Sequence, residues 1–414
     1  MNDEPPQTTL DRADVRVTHA EGFGSALQAF GRRARSGDLG SLPVVAGLLI
    51  VGALFTTLNP VFLSPNNMVN LCFDCSVIGV IALGIVCVLM LGEIDLSVGS
   101  MSGVASALLG VLWVGLGIPA IIAIGAALLV GALVGTLYAQ LRMRFGMPSF
   151  SSTLAGLLAL LGWQLYLLGA TGSINLPYES AMVSFGQFWV LPAWLSEVIA
   201  LLPGVGLLAA GLRARKRRRR FNLSVGSFGM FVVQVAGLTI MAEAVVFYLN
   251  RGRGVPVMFL LFIVLVLVMQ YAFDHTQWGR SMRAVGGNPE AARRSGINVP
   301  WIYTTAFALC SAFAALGGIL GAARLASSSQ QAGTGDVNLN AIAAAVIGGT
   351  SLFGGRGSAW SALLGIIVIQ AISNGLTLLN MSSSLRYMIT GAVLAIAVLV
   401  DSLARRSRVT HGRA

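Results

Sequence analysis

The chain has 414 residues, of which 56% are hydrophobic and only 10% charged, and its net charge is +11. Soluble domains carry about 25% charged residues, so a soluble globule is excluded. The positive charge sits mainly in short stretches between apolar runs, where it orients a membrane protein and gives no support to nucleic-acid binding. The runs are continuous and near the ~20 residues of a membrane span. They do not alternate as β-barrel strands would. The 50 glycines suit closely approaching membrane helices.

Residues 1–40 are polar, with Pro5, Pro6 and mixed charge. No apolar stretch follows Met1, so a cytoplasmic tail is expected rather than a signal peptide, with a short amphipathic helix near Phe23–Phe30. Apolar segments then follow at 42–58, 68–91, 96–116, 118–141, 149–170, 194–212, 228–249, 255–273, 301–323, 339–353, 359–379 and 385–403. The segment at 339–353 is long enough only for a half-span or re-entrant piece. The expected fold is therefore all-α and polytopic, with about twelve transmembrane segments, some broken or re-entrant. Arg32, Arg33, Arg142, Arg144, Arg213–Arg220, Arg280–Arg294 and Arg405–Arg408 all fall on one side of such a topology. Arg251 and Arg253 are the exception. Both termini are then cytoplasmic. A transmembrane domain over 41–403 lies between the tail 1–40 and a tail 404–414.

Cys72 and Cys75 form a C-x-x-C, but no second cysteine or histidine pair accompanies it. Buried, inert thiols are expected there, with Cys87 and Cys310 alike, and no metal or bound cofactor.

Three interruptions carry mechanism. Gly92–Gly99 places Glu93, Asp95 and Ser97 between two apolar runs. Carboxylates at membrane depth line pathways, whereas at a cytoplasmic turn they are solvated, and Asp95 then caps the next helix. Gly146–Ser152 contains Pro148, Ser149 and Ser152, which suit either a sugar hydroxyl or their own backbone carbonyls. Ile347–Ser358, with Thr350, is a second glycine-rich break, and paired breaks point to a transport pathway between repeats. Asn70, Asp74, Gln164, Gln234, Glu243, Gln370 and Asn374 lie inside spans. They suit a polyhydroxylated solute or bonds between helices. No span carries a Lys, His or Arg relay, which argues against a proton-coupled carrier. Arg213–Arg220 reads as a cytoplasmic loop and anchor between two helices, with a lipid or nucleic-acid patch as the sharper alternative. Residues 171–193, with Trp189 beside Trp194, form the longest external connection.

The loop 274–300 is the most informative. Asn288 is a good N-cap, Pro289 fits the first helical position, and Glu290, Arg293 and Arg294 suit the helix dipole. Gly296 can end the helix in a left-handed conformation. A helix of about two turns over 289–295 is predicted, with small Ala291 and Ala292 allowing close approach. So short a helix is marginal alone and must dock, either on its own protein or on a cytoplasmic partner. The chain's only lysine, Lys216, precedes Arg217, so no phosphate-binding loop of the G-x-x-x-x-G-K-[ST] type is present. Any ATP and magnesium would be used by another subunit.

Several stretches together resemble a known family. They are Glu93–Met101, Pro148–Phe150 with Leu154–Gly156, Gly254–Pro256, Ala284–Asn288, Glu290–Arg293, Ser295–Val299 and Asn340–Leu352. In order and spacing they are similar to the permease subunits of bacterial ABC importers for monosaccharides. The hairpin around Arg213–Arg220 resembles the xylose-type branch and is lacking in the ribose type. The resemblance implies a homodimer of permeases, a cytoplasmic ATPase subunit and an extracytoplasmic sugar-binding protein. It assigns the ATPase contact to Gly287, Asn288, Glu290, Ala291, Ala292, Arg293 and Gly296. Asn70, Asp74, Glu93, Asp95, Ser97, Ser149, Ser152, Thr350 and Asn374 are the pathway candidates. The N-terminal tail, the density of the basic run and Arg356 depart from the family pattern. An ion-driven secondary carrier and a non-transporting scaffold or channel are the competing readings.

Overall fold

The computed structural model describes residues 42–392 together with Ala395 and Leu399. The predicted terminal tails, the helix near Phe23–Phe30 and most of the segment 385–403 lie outside the described residues. Among the described residues, nine helices are long and apolar enough to cross a membrane. The expected all-α polytopic architecture is what the chain adopts. Its only sheet among these residues is a two-stranded one.

Two compact units are present: residues 40–190 with 256–403, and the insertion 191–255. The larger unit contains α1 (Leu42–Leu58), α2 (Pro65–Leu89), α3 (Val98–Leu109), α4 (Ala120–Phe145) and α5 (Ser149–Leu168). A π-helical segment, Gly110–Gly115, extends α3. Next come β1 (Ser173–Asn175) and α6 (Ala181–Gln187). The insertion is a helical hairpin, α7 (Ala193–Arg220) and α8 (Phe228–Asn250). The larger unit resumes with α9 (Val257–His275), α10 (Gln277–Gly287), α11 (Pro289–Arg294) and α12 (Val299–Leu325). It continues through β2 (Ser327–Ser329), α13 (Val337–Ile347) and α14 (Ala359–Leu378). The chain is helical again over 383–392.

In the larger unit α12 packs on α2, α3 and α4, and α14 packs on α1, α2, α9 and α13. Most of α2, α3, α12 and α14 is buried, whereas α4, α5 and α9 keep broad apolar faces exposed. An apolar exposed face is what hydrocarbon solvates, so the buried helices are the centre and the others the lipid-facing rim. Small residues bring the central helices together. A Cβ placed on Gly318 of α12 would lie 1.9 Å from the Ser102 carbonyl oxygen of α3, so these two backbones touch. Lipid offers no hydrophobic force between helices, and close van der Waals approach takes its place.

The segment 339–353 is the short piece expected: α13 ends at Ile347, and the glycine-rich break over 348–358 follows. Eleven residues rise only about 16 Å, half the hydrocarbon thickness. The basic run 213–220 is helical and belongs to α7, not to a loop. Arg and Lys are good helix formers, and the turn waits for Asn222–Ser227. Arg215 and Arg218 tie that turn down, donating to the Gly226 and Ser224 carbonyls at 2.6 and 2.7 Å. Within the hairpin Ser196 and Asn250 share a hydrogen bond, and the Leu191 N–H donates to the Val255 carbonyl at 2.8 Å, closing its base.

The α3–α12 contact makes a direct prediction. Gly318→Ala should lower thermal stability in detergent by about 1–3 kcal/mol, the usual cost of overpacking. Gly321→Ala, whose new methyl would meet only Val77 at 3.4 Å, should be neutral or gain up to about 1 kcal/mol from helix propensity. Equal effects at the two positions would contradict the packing.

Candidate functional site

The loop 274–300 forms the helix that its sequence specifies. The Asn288 side chain accepts from the N–H groups of Glu290 and Ala291, both at 3.0 Å. The helix ends at Arg294 rather than 295. Gly296 adopts φ +83°, and the Ile297 N–H returns to the Ala292 carbonyl at 3.1 Å. Glu290 pairs with Arg293 and Arg294 at 3.3 and 3.6 Å, on a surface where such pairs add little stability. The two alanines take different roles. Ala292 is buried, whereas Ala291 is exposed, as are Gly287, Asn288, Glu290, Arg293 and Gly296. The loop therefore presents a braced helix whose outer face is free.

Behind it lies a knot of three chain breaks. A Cβ on Gly286, at the end of α10, would fall 1.8 Å from the Met90 carbonyl oxygen. The same carbonyl accepts from the Gly355 N–H at 2.9 Å. The 90–97 and 348–358 interruptions thus meet each other and the loop 274–300. A side-chain relay runs beside the knot. Arg283 of α10 pairs with Asp274 of α9 at 2.5 Å. Gln270 donates to the other Asp274 oxygen at 2.6 Å. Gln270 also accepts from Ser358 and from the Ala359 N–H at 2.8 and 2.9 Å, capping α14.

Glu93 sits at the same end of the molecule. It accepts from Arg142 Nε at 2.9 Å, from Tyr303 at 3.3 Å and from Ser149. These residues occupy the end of α4 and the starts of α12 and α5. Asp95 is fully buried and accepts from the Ser97 N–H and hydroxyl at 2.8 and 2.7 Å. It tightens the turn into α3 and leaves its second oxygen without a partner. Ser152 donates to the Ser149 carbonyl at 3.0 Å, its own backbone. Thr350 is buried with its hydroxyl unpartnered.

The start of α3 is also reached from the opposite side. β2 pairs antiparallel with β1 of the long connection 171–193. From there residues 327–338 descend along α3. Ser328 bonds the Ser106 carbonyl at 2.6 Å, Gln164 donates to the carbonyls of Ser329 and Ala332 at 3.0 and 2.9 Å, and Asn338 accepts from the Gly99 N–H. The two interruptions thus meet beside Gly99, with Asp95, Ser102, Gln164 and Asn338 around the junction. Sequence reasoning named Gln164 only as one polar residue among several and missed Asn338. The turn residues Gly333 and Gly335 just before Asn338 were the available signal.

The remaining pathway candidates lie apart. Asn70 and Asp74 face Arg324, whose Nε is 3.0 Å from Asp74 and Nη2 3.5 Å from Asn70. Arg324 also lies over the Phe73 ring at 5.0 Å. It belongs to the last turn of α12, and Arg142 to that of α4, each one residue past the apolar segment read from the sequence. Asn374 exchanges amide hydrogen bonds with Asn67 at 2.7 and 3.1 Å. The four cysteines are free thiols, three of them buried. No cluster of metal-ligating side chains occurs among the described residues.

Residues 67–398 match the family described as "branched-chain amino acid transport system / permease component". The chain belongs to this permease family. The permease is 35% identical over 365 residues to the xylose transport system permease protein XylH of Escherichia coli K12, covering 88% of this chain and 92% of that one. It is 32% identical to the XylH protein of Haemophilus influenzae, over 87% and 95% of the two chains. The ribose import permease protein RbsC of Escherichia coli K12 is 32% identical, over 86% and 91%. No solved structure matches the permease. With its apolar helices, the permease is a multi-pass protein of the bacterial inner membrane, and its relatives are transport subunits rather than enzymes.

The Arg324–Asp74 pair is partly exposed, so Arg324→Ala should cost about 1–2 kcal/mol. Most of that should return in Arg324→Ala/Asp74→Ala, because the unpaired carboxylate is then gone. A double-mutant thermal denaturation cycle in detergent reads the coupling.

Proposed function

We propose that the chain is the membrane subunit of an ATP-driven importer for a monosaccharide, with D-xylose as the first candidate substrate. The names of its relatives support the sugar class. The observation that carries the ATP-driven reading is the exposed helix α11 joined through Gly286 to the two chain breaks. A cytoplasmic ATPase that grips Asn288, Glu290, Ala291, Arg293 and Gly296 would push on α10. That displacement has two outlets, the Met90–Gly355 contact and the Arg283–Asp274–Gln270 relay to α14. Both reach the interruptions that border α2, α3, α13 and α14. Ala292 serves from beneath, seating the helix, and Gly287 provides a small residue beside Gly355.

In this reading two copies of the permease flank the pathway, and an extracytoplasmic sugar-binding protein delivers the substrate. Asp95, Ser97 and Thr350 are buried polar groups between the breaks. Gln164, Ser102 and Asn338 extend that polar seam toward the outer side. Glu93 with Ser149, and Asp74 with Asn70, hold the two ends of the helix bundle, and Asn374 locks α14 to α2. ATP and magnesium belong to the partner subunit.

The test compares two neighbouring positions. Ala291→Trp and Glu290→Arg should abolish co-purification of the ATPase and lower sugar uptake at least tenfold, with thermal stability unchanged. Ala292→Trp should lower stability itself, by about 1–3 kcal/mol from overpacking. Uptake by the permease alone in liposomes under an ion gradient, or normal ATPase assembly in Ala291→Trp, would sink the proposal.

A further inference from the structure

The hairpin α7–α8 carries a cleft that transport and coupling leave unused. Its volume is about 470 Å³, and it is lined by Leu212, Arg215, Lys216, Arg219, Arg220 and Phe228. The five α7 positions are spaced three, one, three and one apart, so they share one helix face. Four cations therefore converge on one space, and no lining residue is acidic. Arg215 is engaged by the Gly226 carbonyl and lies 5.4 Å over the rings of both Phe228 and Phe231. Lys216, Arg219 and Arg220 are exposed. Pairs such as Arg215–Arg219 and Lys216–Arg220 repel at four-residue spacing, and an anion in the cleft would remove that cost.

The floor of the cleft is apolar. Leu212 and Phe228 are 46% and 58% exposed, and Leu208, Val205, Val232 and Val233 continue an exposed apolar strip away from the charges. A cationic cleft at one end of such a strip matches an amphiphile with an anionic head. Free phosphate would use the charges but leave the strip without a role. We propose that this cleft binds the phosphate headgroup of an anionic membrane phospholipid, whose acyl chains lie along the exposed faces of α7 and α8. A Lys or Arg near an anionic membrane surface contributes about one factor of five in binding. Two of them removed from one site should thus be readily measurable.

The purified full chain, in a neutral detergent, can be titrated with phosphatidylglycerol, with phosphatidylcholine and with inorganic phosphate. Bound lipid is counted by native mass spectrometry. One phosphatidylglycerol should bind well before phosphatidylcholine, and millimolar inorganic phosphate should not displace it. Lys216→Gln/Arg219→Gln should weaken phosphatidylglycerol about tenfold or more. Arg213→Gln/Arg217→Gln, which removes the same charge away from the cleft, should change it less than twofold. Should the first pair fail to fold, a rise from 50 to 500 mM salt on the unaltered chain reads the same attraction and should weaken binding several-fold. Equal loss in both pairs, no preference over phosphatidylcholine, displacement by free phosphate, or insensitivity to salt would each overturn the site.

Discussion

A helix that stops inside a bilayer leaves N–H and C=O groups that hydrocarbon cannot satisfy, and each costs several kcal/mol. This chain stops its helices at 90–97, at 326–336 and at 348–358. Part of their backbone is satisfied by other parts of the chain. Gly355 donates to Met90, Gly99 donates to Asn338, and Gln164 holds two carbonyls of the descending segment. The interruptions are partly buried: Met90, Asp95, Ser97, Ser328 and Thr350 are buried, whereas Gly92, Gln331, Gly335 and Phe353 are exposed.

The same constraint links α10 and α11 to the interior. Gly286 touches Met90 because two turns of irregular backbone must pack there. In the proposed function, the helix that an ATPase would grip and the segments it would move are therefore neighbours. The Arg283–Asp274–Gln270 relay adds a polar connection to the same place. Within the larger unit, the geometry offers few ways to move α10 without disturbing the starts of α3 and α14.

What the sequence revealed divides by range. The helix 289–294 was legible because its determinants are local: Asn288, Pro289, Glu290 and Gly296 lie within nine positions. The spans were legible from hydropathy, and the shortness of α13 from Gly348 and Gly349. The helical state of 213–220 was misread because hydropathy ends at Leu212, although nothing there breaks a helix. Partners far apart in the chain were invisible. Asp74 and Arg324 are 250 positions apart, and the acceptors of Gln164 lie 165 and 168 residues away. Only the fold tells that Glu93 belongs with Tyr303 and Arg142, or that Asn374 answers Asn67. Ala291 and Ala292 looked interchangeable because composition does not report which way a short helix faces.

The bracing of α11 has a kinetic consequence. Six residues left free would have to be ordered during association, at about 1–2 kcal/mol each. Here Asn288, the Ile297 closure and the buried Ala292 have already fixed them. In the proposed importer, an ATPase docking against this helix would therefore meet a preformed surface. Its association rate would be set by diffusion and orientation rather than by a folding step, and binding free energy that would otherwise go into ordering the loop would be left to do mechanical work on the chain behind it.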